Sequence, residues 1–326
     1  MELTQVQTVS IVIPVYSGEQ TLPSLIKEIS PFTVNQETPG GNQYIISEVI
    51  LVYDNGQDNS DHTIQTLCGE FSFVRPVWLT KNFGQHAATL AGMSSAASDW
   101  IVTIDEDGQQ APSDIAGMLD HALAESLQFF YAKPVNPPPH GFLRNFFSRT
   151  AKKIAGKLLK NPLAGQFNSF RLVDGEIARI LAAYSGNGIY LDVAIFWIAG
   201  HIGHYPVRLR REFDRPSGYS YFRLFSHFWR LILSTGTRPL RLITFLGIGS
   251  VAFALFISIY AITEKLIGNV PIQGWTSLVI ITSFFSGCIL ISLGLIAEYL
   301  AMTLSISLGK PLYVISSKPP KKGKSK

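Results

Sequence analysis

The chain has 326 residues, room for one large catalytic domain and something smaller, and length alone decides no more. Its hydrophobic fraction of 47% and mean hydropathy of +0.21 are high for a wholly soluble protein, and the excess lies toward the C-terminus. A formal charge of +4 is too mild to argue for a polyanionic partner, and no nucleic acid is expected to bind.

The opening residues, MELTQVQTVSIVIPVY, lack the charged-then-apolar pattern of a cleaved signal, so the first domain is expected in the cytosol. From about residue 9 to residue 130, β-branched runs of strand length alternate with helix-like pieces. The strands are VSIVIPVY, SEVILVYD, VRPVWLT and DWIVTIDED; the helices are residues 21–30, 60–70 and 85–97. This alternation predicts an α/β domain with a mostly parallel sheet covered by helices on both faces. Ligands bind such sheets at the carboxyl ends of the strands, where each polar cluster of interest falls.

Residues 126–173 contain no Asp or Glu, yet carry Lys133, Arg144, Arg149, Lys152, Lys153, Lys157, Lys160 and Arg171. Within them, residues 142–159 repeat apolar side chains at near four-residue spacing opposite a basic face. That pattern suits a helix lying on an anionic surface; the alternative is a helix packed on the sheet with its basic face in water. Residues 221–233 repeat the theme with more aromatics and lead into two long apolar stretches. Residues 240–262 carry only Arg241, and residues 276–297 carry no charge. Each is longer than the ~20 residues that cross a ~30 Å hydrocarbon core, so a two-helix transmembrane hairpin is expected. Arg230, Arg238 and Arg241 flank one side, and Lys310, Lys318, Lys321, Lys322, Lys324 and Lys326 follow the other. The positive-inside rule then places both termini in the cytosol of a multi-pass inner-membrane protein. The resulting division is a catalytic domain over residues 1–216, an amphipathic juxtamembrane helix over 217–236, the hairpin over 237–305 and a basic tail over 306–326. Cys68 and Cys288 fall in different parts of this plan, so no disulfide is implied, and both read as small buried residues.

The stretch DWIVTIDEDGQQAP carries the most chemistry. Alternation along an extended backbone points Asp105 and Asp107 the same way. Their repulsion would be relieved by a hard divalent cation, Mg²⁺ or Mn²⁺, shared with a diphosphate, and Gln109 could add an oxygen ligand. A solvated acidic turn is the plainer alternative. Pro14 and Tyr16 leave the first strand where a base could lie. Asp54 ends the second and could accept hydrogen bonds from a base or ribose, while Asp58 reads as a helix cap. Lys81, beside Asn82 and Gly84, stands ready for phosphate at the end of the third. His86 reads as an ordinary helix-surface histidine. The absence of Gly-x-Gly-x-x-Gly and P-loop motifs argues against dinucleotide oxidoreductases and NTPases.

Together these residues resemble the family 2 glycosyltransferases of the GT-A fold, and within them the polyprenyl-phosphate sugar transferases. SIVIPVY matches the opening strand, LTKNFGQHAA the Asn-x-Gly turn, DEDGQQAP the acidic segment and FNSFRLVDGEI the Phe-Arg-Leu segment. DRPSGYSYFRL matches through Arg215, Gly218, Ser220 and Tyr221, and LGLIAEYLAMTLSISLGKPLYVI matches the second membrane helix and its Pro-Leu-Tyr ending. The likeness covers nearly the whole chain. It implies metal ligation by Asp105, Asp107 and Gln109, and donor contacts from Pro14, Tyr16 and Asp54. Three positions depart from the pattern: Ser17-Gly18 stand before Glu19, which could replace the usual Glu; Tyr53-Asp54 replace an Asp pair; and Ala111 replaces a Pro.

The expected reaction is transfer of a sugar from a nucleotide sugar, UDP-glucose first, to undecaprenyl phosphate, with inversion. Arg171, Arg211 and Arg215 are candidates to hold the acceptor phosphate, with Lys133 and Arg149 behind them. Asp192 could orient the sugar, serve as an auxiliary base or simply cap a helix. A homo-oligomer is compatible with the resemblance. The competing readings are a processive polysaccharide synthase and a non-catalytic membrane scaffold with a degenerate transferase domain.

Overall fold

The β-branched runs form the centre of one sheet. The computed structural model describes residues 5–136, 168–186, 190–210 and 274–320, with scattered positions between 247 and 267. The amphipathic segments 142–159 and 221–233, the candidate residues Arg149, Arg211 and Arg215, and much of the span 240–262 lie outside the described residues.

Strands β1 (Gln7–Val15), β3 (Gln43–Tyr53), β4 (Val74–Leu79) and β5 (Trp100–Thr103) are the four that the sequence predicts. They run parallel in the order β5-β1-β3-β4. Helices α1 (Leu22–Ile29), α2 (Ser60–Glu70) and α3 (Gln85–Ser95) connect them, close to the predicted limits. α4 (Asp114–Glu125) follows β5.

The rest of the sheet departs from the parallel expectation. β6 (Phe129–Pro134), β7 (Arg171–Asp174) and β8 (Gly203–Val207) extend it past β5 in the order β5-β7-β6-β8. β7 is antiparallel to both of its neighbours, whereas β6 and β8 are parallel. At the other edge β9 (Ile315–Ser316) lies antiparallel on β4, and β2 (Gln36–Glu37) pairs with β3. The sheet is therefore mixed, with β2, β7 and β9 running against the strands they pair with.

Side-chain alternation sorts the core into two layers. Val9, Ile11, Ile13 and Val15 of β1 face α1, α2 and α4, while Val12 faces α3 together with α5 (Gly175–Tyr184) and α6 (Leu191–Ile198). Each such side chain contributes ~1.5–3 kcal/mol by leaving water. α3 approaches β1 so closely that a Cβ on Gly92 would lie 2.2 Å from Val12 Cγ1.

The C-terminal helix α7 (Trp275–Ser307) contains one stretch, Phe284–Ser307, long and apolar enough to cross a membrane. It continues past the expected limit of residue 297. The described residues between 247 and 260 are helical, and Phe253 meets Phe284 edge-on with ring centroids 6.5 Å apart. Cys68 and Cys288 are both free and half-buried, less enclosed than expected.

Candidate active site

The carboxyl ends of β1, β3, β4 and β5 converge on one polar rim. The acidic triplet at the end of β5 divides its work across that rim. Asp105 turns inward, where its Oδ1 accepts Gln85 Nε2 at 2.7 Å and its Oδ2 accepts Gln110 Nε2 at 3.2 Å and the Ser169 hydroxyl. Burial lifts its carboxyl above the ordinary range, against the opposing pull of Ser169, Arg171, Gln110 and Gln85. Glu106 faces the β1–α1 turn and accepts the backbone N–H of Tyr16 at 3.0 Å and of Ser17 at 2.9 Å. Asp107 stands half-exposed at the mouth, and its Oδ1 accepts the Gln109 N–H at 3.0 Å. The Gln109 carbonyl in turn accepts the Arg210 N–H.

These residues fit a hard cation by donor type: two carboxylates and an amide sit on one short turn, and neutral donors already hold Asp105 in place. Among the described residues no group of three or more His, Cys, Asp or Glu side chains gathers as an all-protein cage.

The β1–α1 turn is gripped from both sides. Gly18 N–H donates to Ser60 Oγ at 2.8 Å, and Glu19 N–H donates to Asp58 Oδ2 at 3.0 Å. The Glu19 carboxylate accepts the Asn59 N–H at 3.0 Å and Nδ2 at 3.2 Å, so it ties two turns together. Asp58 also accepts the Ser60 N–H and hydroxyl, but the residue at the cap position of α2 is Asn59, so Asp58 braces the turn before the helix instead of capping it as expected. Gly56 permits this closeness, since a Cβ there would sit 1.7 Å from the Tyr16 carbonyl oxygen. Tyr16 itself projects from the rim, 40% exposed, beyond half-buried Pro14.

Two departures from the family pattern have packing causes. Gly18 has no room for a longer side chain, because a Cβ would meet Glu106 Oε2 and the Leu22 side chain at 2.8 Å. Tyr53 is buried, stacks edge-on against Trp78 and donates its hydroxyl to the Gly56 carbonyl at 3.1 Å. Burial pushes its phenol up to about 12, so it stays neutral.

Asp54 braces the next turn. Its Oδ1 and Oδ2 accept the N–H groups of Phe83 and Gly84 at 2.7 and 2.8 Å. Burial pushes its carboxyl up to about 6 although both hydrogen bonds pull the other way. Lys81 lies exposed with Nζ 5.1 Å from the Phe83 ring centroid. His86 packs on the Tyr190 ring with centroids 3.9 Å apart.

Behind Asp105 lies a buried polar cluster. Arg171 Nη2 pairs with Asp192 Oδ1 at 3.1 Å, and both side chains are 5% exposed. Arg171 Nε and Nη2 also donate to the Asn168 carbonyl at 3.1 and 3.0 Å, and Tyr131 donates its hydroxyl to Asp192 at 2.7 Å. Burial pulls the guanidinium down, but Asp192, Tyr131 and Asp105 outweigh it, so the charge is held. Arg171 is thus enclosed rather than displayed to an acceptor, and Asp192 spends its carboxylate on Arg171 and Tyr131 rather than on a helix cap. Lys133 is exposed on β6. Gln85, Gln110, Ser169 and Tyr131 were not singled out in the sequence.

The fold is GT-A-like, with the polar rim at the carboxyl ends of its strands. The chain belongs to glycosyl transferase family 2, whose model matches residues 10–179. It is 25% identical over 317 residues to the bactoprenol glucosyl transferase of Shigella phage SfV, covering 96% of this chain and 99% of that one. It is 27% identical over 314 residues to the undecaprenyl-phosphate 4-deoxy-4-formamido-L-arabinose transferase of Shewanella sediminis, covering 94% and 91%. Mannosyl-3-phosphoglycerate synthase from Rubrobacter xylanophilus shares the fold at 16% identity and a TM-score of 0.51, over 71% of this chain and 74% of that one. Glucosyl-3-phosphoglycerate synthase from Mycobacterium tuberculosis, crystallised with Mn²⁺, UDP-glucose and phosphoglyceric acid, does so at 18% and 0.50, over 71% and 79%.

Proposed function

We propose that this glycosyltransferase moves a sugar, glucose from UDP-glucose being the first choice, onto undecaprenyl phosphate at the cytosolic face of the inner membrane. One observation carries the reading: the chain that holds Asp105 and Asp107 at its strand ends also holds an apolar helix, Phe284–Ser307, whose C-terminal flank rejoins the catalytic sheet as β9. Likeness over nearly the full length of the bactoprenol and undecaprenyl-phosphate transferases supports the acceptor. The ring contact between Phe253 and Phe284 supports the hairpin.

The acceptor phosphate is already an anionic nucleophile at neutral pH, so its oxygen can attack the anomeric carbon directly while the nucleoside diphosphate departs from the opposite face. A divalent cation held by Asp105, Asp107 and Gln109 would supply neutralisation of charge on the diphosphate. Tyr16 and Pro14 line the place for the base. Lys81 offers a charge toward the phosphates. Arg171 acts from behind, where it keeps Asp105 and the Tyr131–Asp192 pair in position. Lys133, with Arg149, Arg211 and Arg215, remains the set proposed to draw the lipid phosphate in. Because Gly18 and Tyr53 have packing explanations, neither argues for a degenerate domain.

Purified protein with labelled UDP- and GDP-sugars, undecaprenyl phosphate and Mg²⁺ or Mn²⁺ should yield one sugar-phospholipid. Failure with every donor, alongside intact nucleotide-sugar binding, would favour the scaffold reading instead.

A further inference from the structure

The segment that follows the membrane helix does more than end the chain. α7 stops at Ser307, and Gly309 turns the backbone with a φ of +63°. The chain then reaches the catalytic domain within five residues. Leu312 and Tyr313 pack on the α3 layer, which Phe83 also joins, and the Tyr313 hydroxyl donates to Ser94 Oγ at 3.0 Å. Ile315 and Ser316 pair with Leu79 and Trp78, and Thr80 N–H donates to the Val314 carbonyl at 3.0 Å. This strap covers the outer edge of β4 at its last residues, directly before the turn that Asp54 holds through Phe83 and Gly84. That turn opens α3 with Gln85, which binds Asp105.

From this juxtaposition we infer that residues 312–316 are a positioning strap: they fix the Lys81–Gln85 turn of the donor site and couple it to the membrane helix. An uncovered β4 end would leave its backbone groups to water and the turn with support from one side only. The short connection matters equally. Five residues span at most ~17 Å, so the donor site is held at a set distance from the end of α7. The polar rim is thereby presented to a lipid headgroup by the same segment that shapes it. The inference rests on the donor and acceptor roles proposed above, but its test does not rest on them alone.

The experiment compares wild type with the double variant Leu312→Ala/Tyr313→Ala and with Tyr313→Phe, using Tyr184→Ala on exposed α5 as control. Amide exchange is followed at Phe83 and Gly84, and steady-state kinetics are run with UDP-glucose and undecaprenyl phosphate. The double variant should exchange both amides at least tenfold faster and raise the UDP-glucose KM about tenfold. Its kcat and its undecaprenyl phosphate KM should stay within about twofold. Tyr313→Phe, which loses only the Ser94 bond, should give the same pattern at two- to threefold, and the control should match wild type. Unchanged exchange at Phe83 and Gly84 would overturn the strap, as would equal losses in kcat and both KM values, the signature of general destabilisation. A wild type inactive on UDP-glucose would instead remove the donor assignment, leaving the exchange result to judge the strap.

Discussion

Glu106 holds the backbone of Ser17 with both carboxylate oxygens, Oε1 at 2.9 Å and Oε2 at 3.1 Å from the same N–H. The middle acid of the triplet is therefore a brace for the β1–α1 turn, not a third ligand at the mouth. Charged hydrogen bonds of this kind contribute ~1.5–3 kcal/mol. Glu106→Ala should lower kcat/KM for the donor by about tenfold to a hundredfold, since one decade corresponds to ~1.4 kcal/mol. Glu106→Gln, which keeps an acceptor, should lose less. The prediction fails if Glu106→Ala abolishes metal binding, measured by Mn²⁺ titration, while sparing donor KM.

Asp107 and Asp105 should separate in the same titration. Asp107 is half-exposed at the mouth, so Asp107→Asn should weaken Mn²⁺ and cut turnover at least a hundredfold while the melting temperature barely moves. Asp105 is tied to Gln85, Gln110 and Ser169, so Asp105→Asn should lower both turnover and melting temperature. Chelation should silence the wild type reversibly. Full activity of Asp107→Asn in Mg²⁺ would remove the proposed metal role.

Asp54 makes a pH prediction. Its folded carboxyl lies at about 6, above the ordinary value of 3.8, because it is buried. Between those values the native state keeps a proton that the unfolded chain releases, so this group's contribution to stability falls as pH rises through the window. Activity runs the opposite way, because the ionised form is the better acceptor for both Phe83 and Gly84 N–H groups. Donor KM should climb as pH drops through about 6. Asp54→Asn should flatten that acid limb and leave KM high throughout; a limb that survives the substitution assigns the effect to another group.

The difference between Asp54 and Asp58 shows what could be read from the residues alone. Strands with β-branched alternation and their strand-end acids stand out because periodicity and turn chemistry are local. Asp58 follows the same logic as a turn residue before α2, although the cap position itself falls to Asn59. That Asp54 would spend both oxygens on a turn 29 and 30 residues away is a tertiary fact with no local trace. The same holds for β9, only two residues long, and for β7, whose antiparallel pairing with β5 sets Trp100 against Asp174 and Thr103 against Arg171, residues far apart in the chain. Membrane length is legible in composition, but the end of α7 is not, because Ser305 and Ser307 continue the helix where an apolar count tapers.

Tyr53 offers a stability test of a departure from the family pattern. Its ring fills space against Trp78, and its hydroxyl has one partner, the Gly56 carbonyl. Tyr53→Phe should cost about 1 kcal/mol, with donor KM little changed. Tyr53→Asp, which restores the family's acid pair, should cost several kcal/mol, because an unpaired carboxylate would enter the core. Thermal melts in detergent distinguish the two. A Tyr53→Asp protein as stable as wild type would mean that the site tolerates the family's residue and that packing does not explain Tyr53.

Arg171 and Asp192 come from different elements, β7 and α6, and meet with almost no water contact. Removing one partner leaves an uncompensated buried charge, a loss of ~3–5 kcal/mol, whereas replacing both by apolar groups can be nearly neutral. Arg171→Met and Asp192→Leu should each destabilise strongly, and the double variant should recover much of that stability. Catalysis should not recover with it. The Arg171 charge also favours the ionised Asp105 carboxylate, pulling it down against its burial, and Tyr131 loses its hydroxyl acceptor once Asp192 is gone. A stable double variant with reduced kcat and weakened Mn²⁺ binding therefore identifies the pair as positioning residues for Asp105. Recovery of kcat together with stability would make the pair structural only.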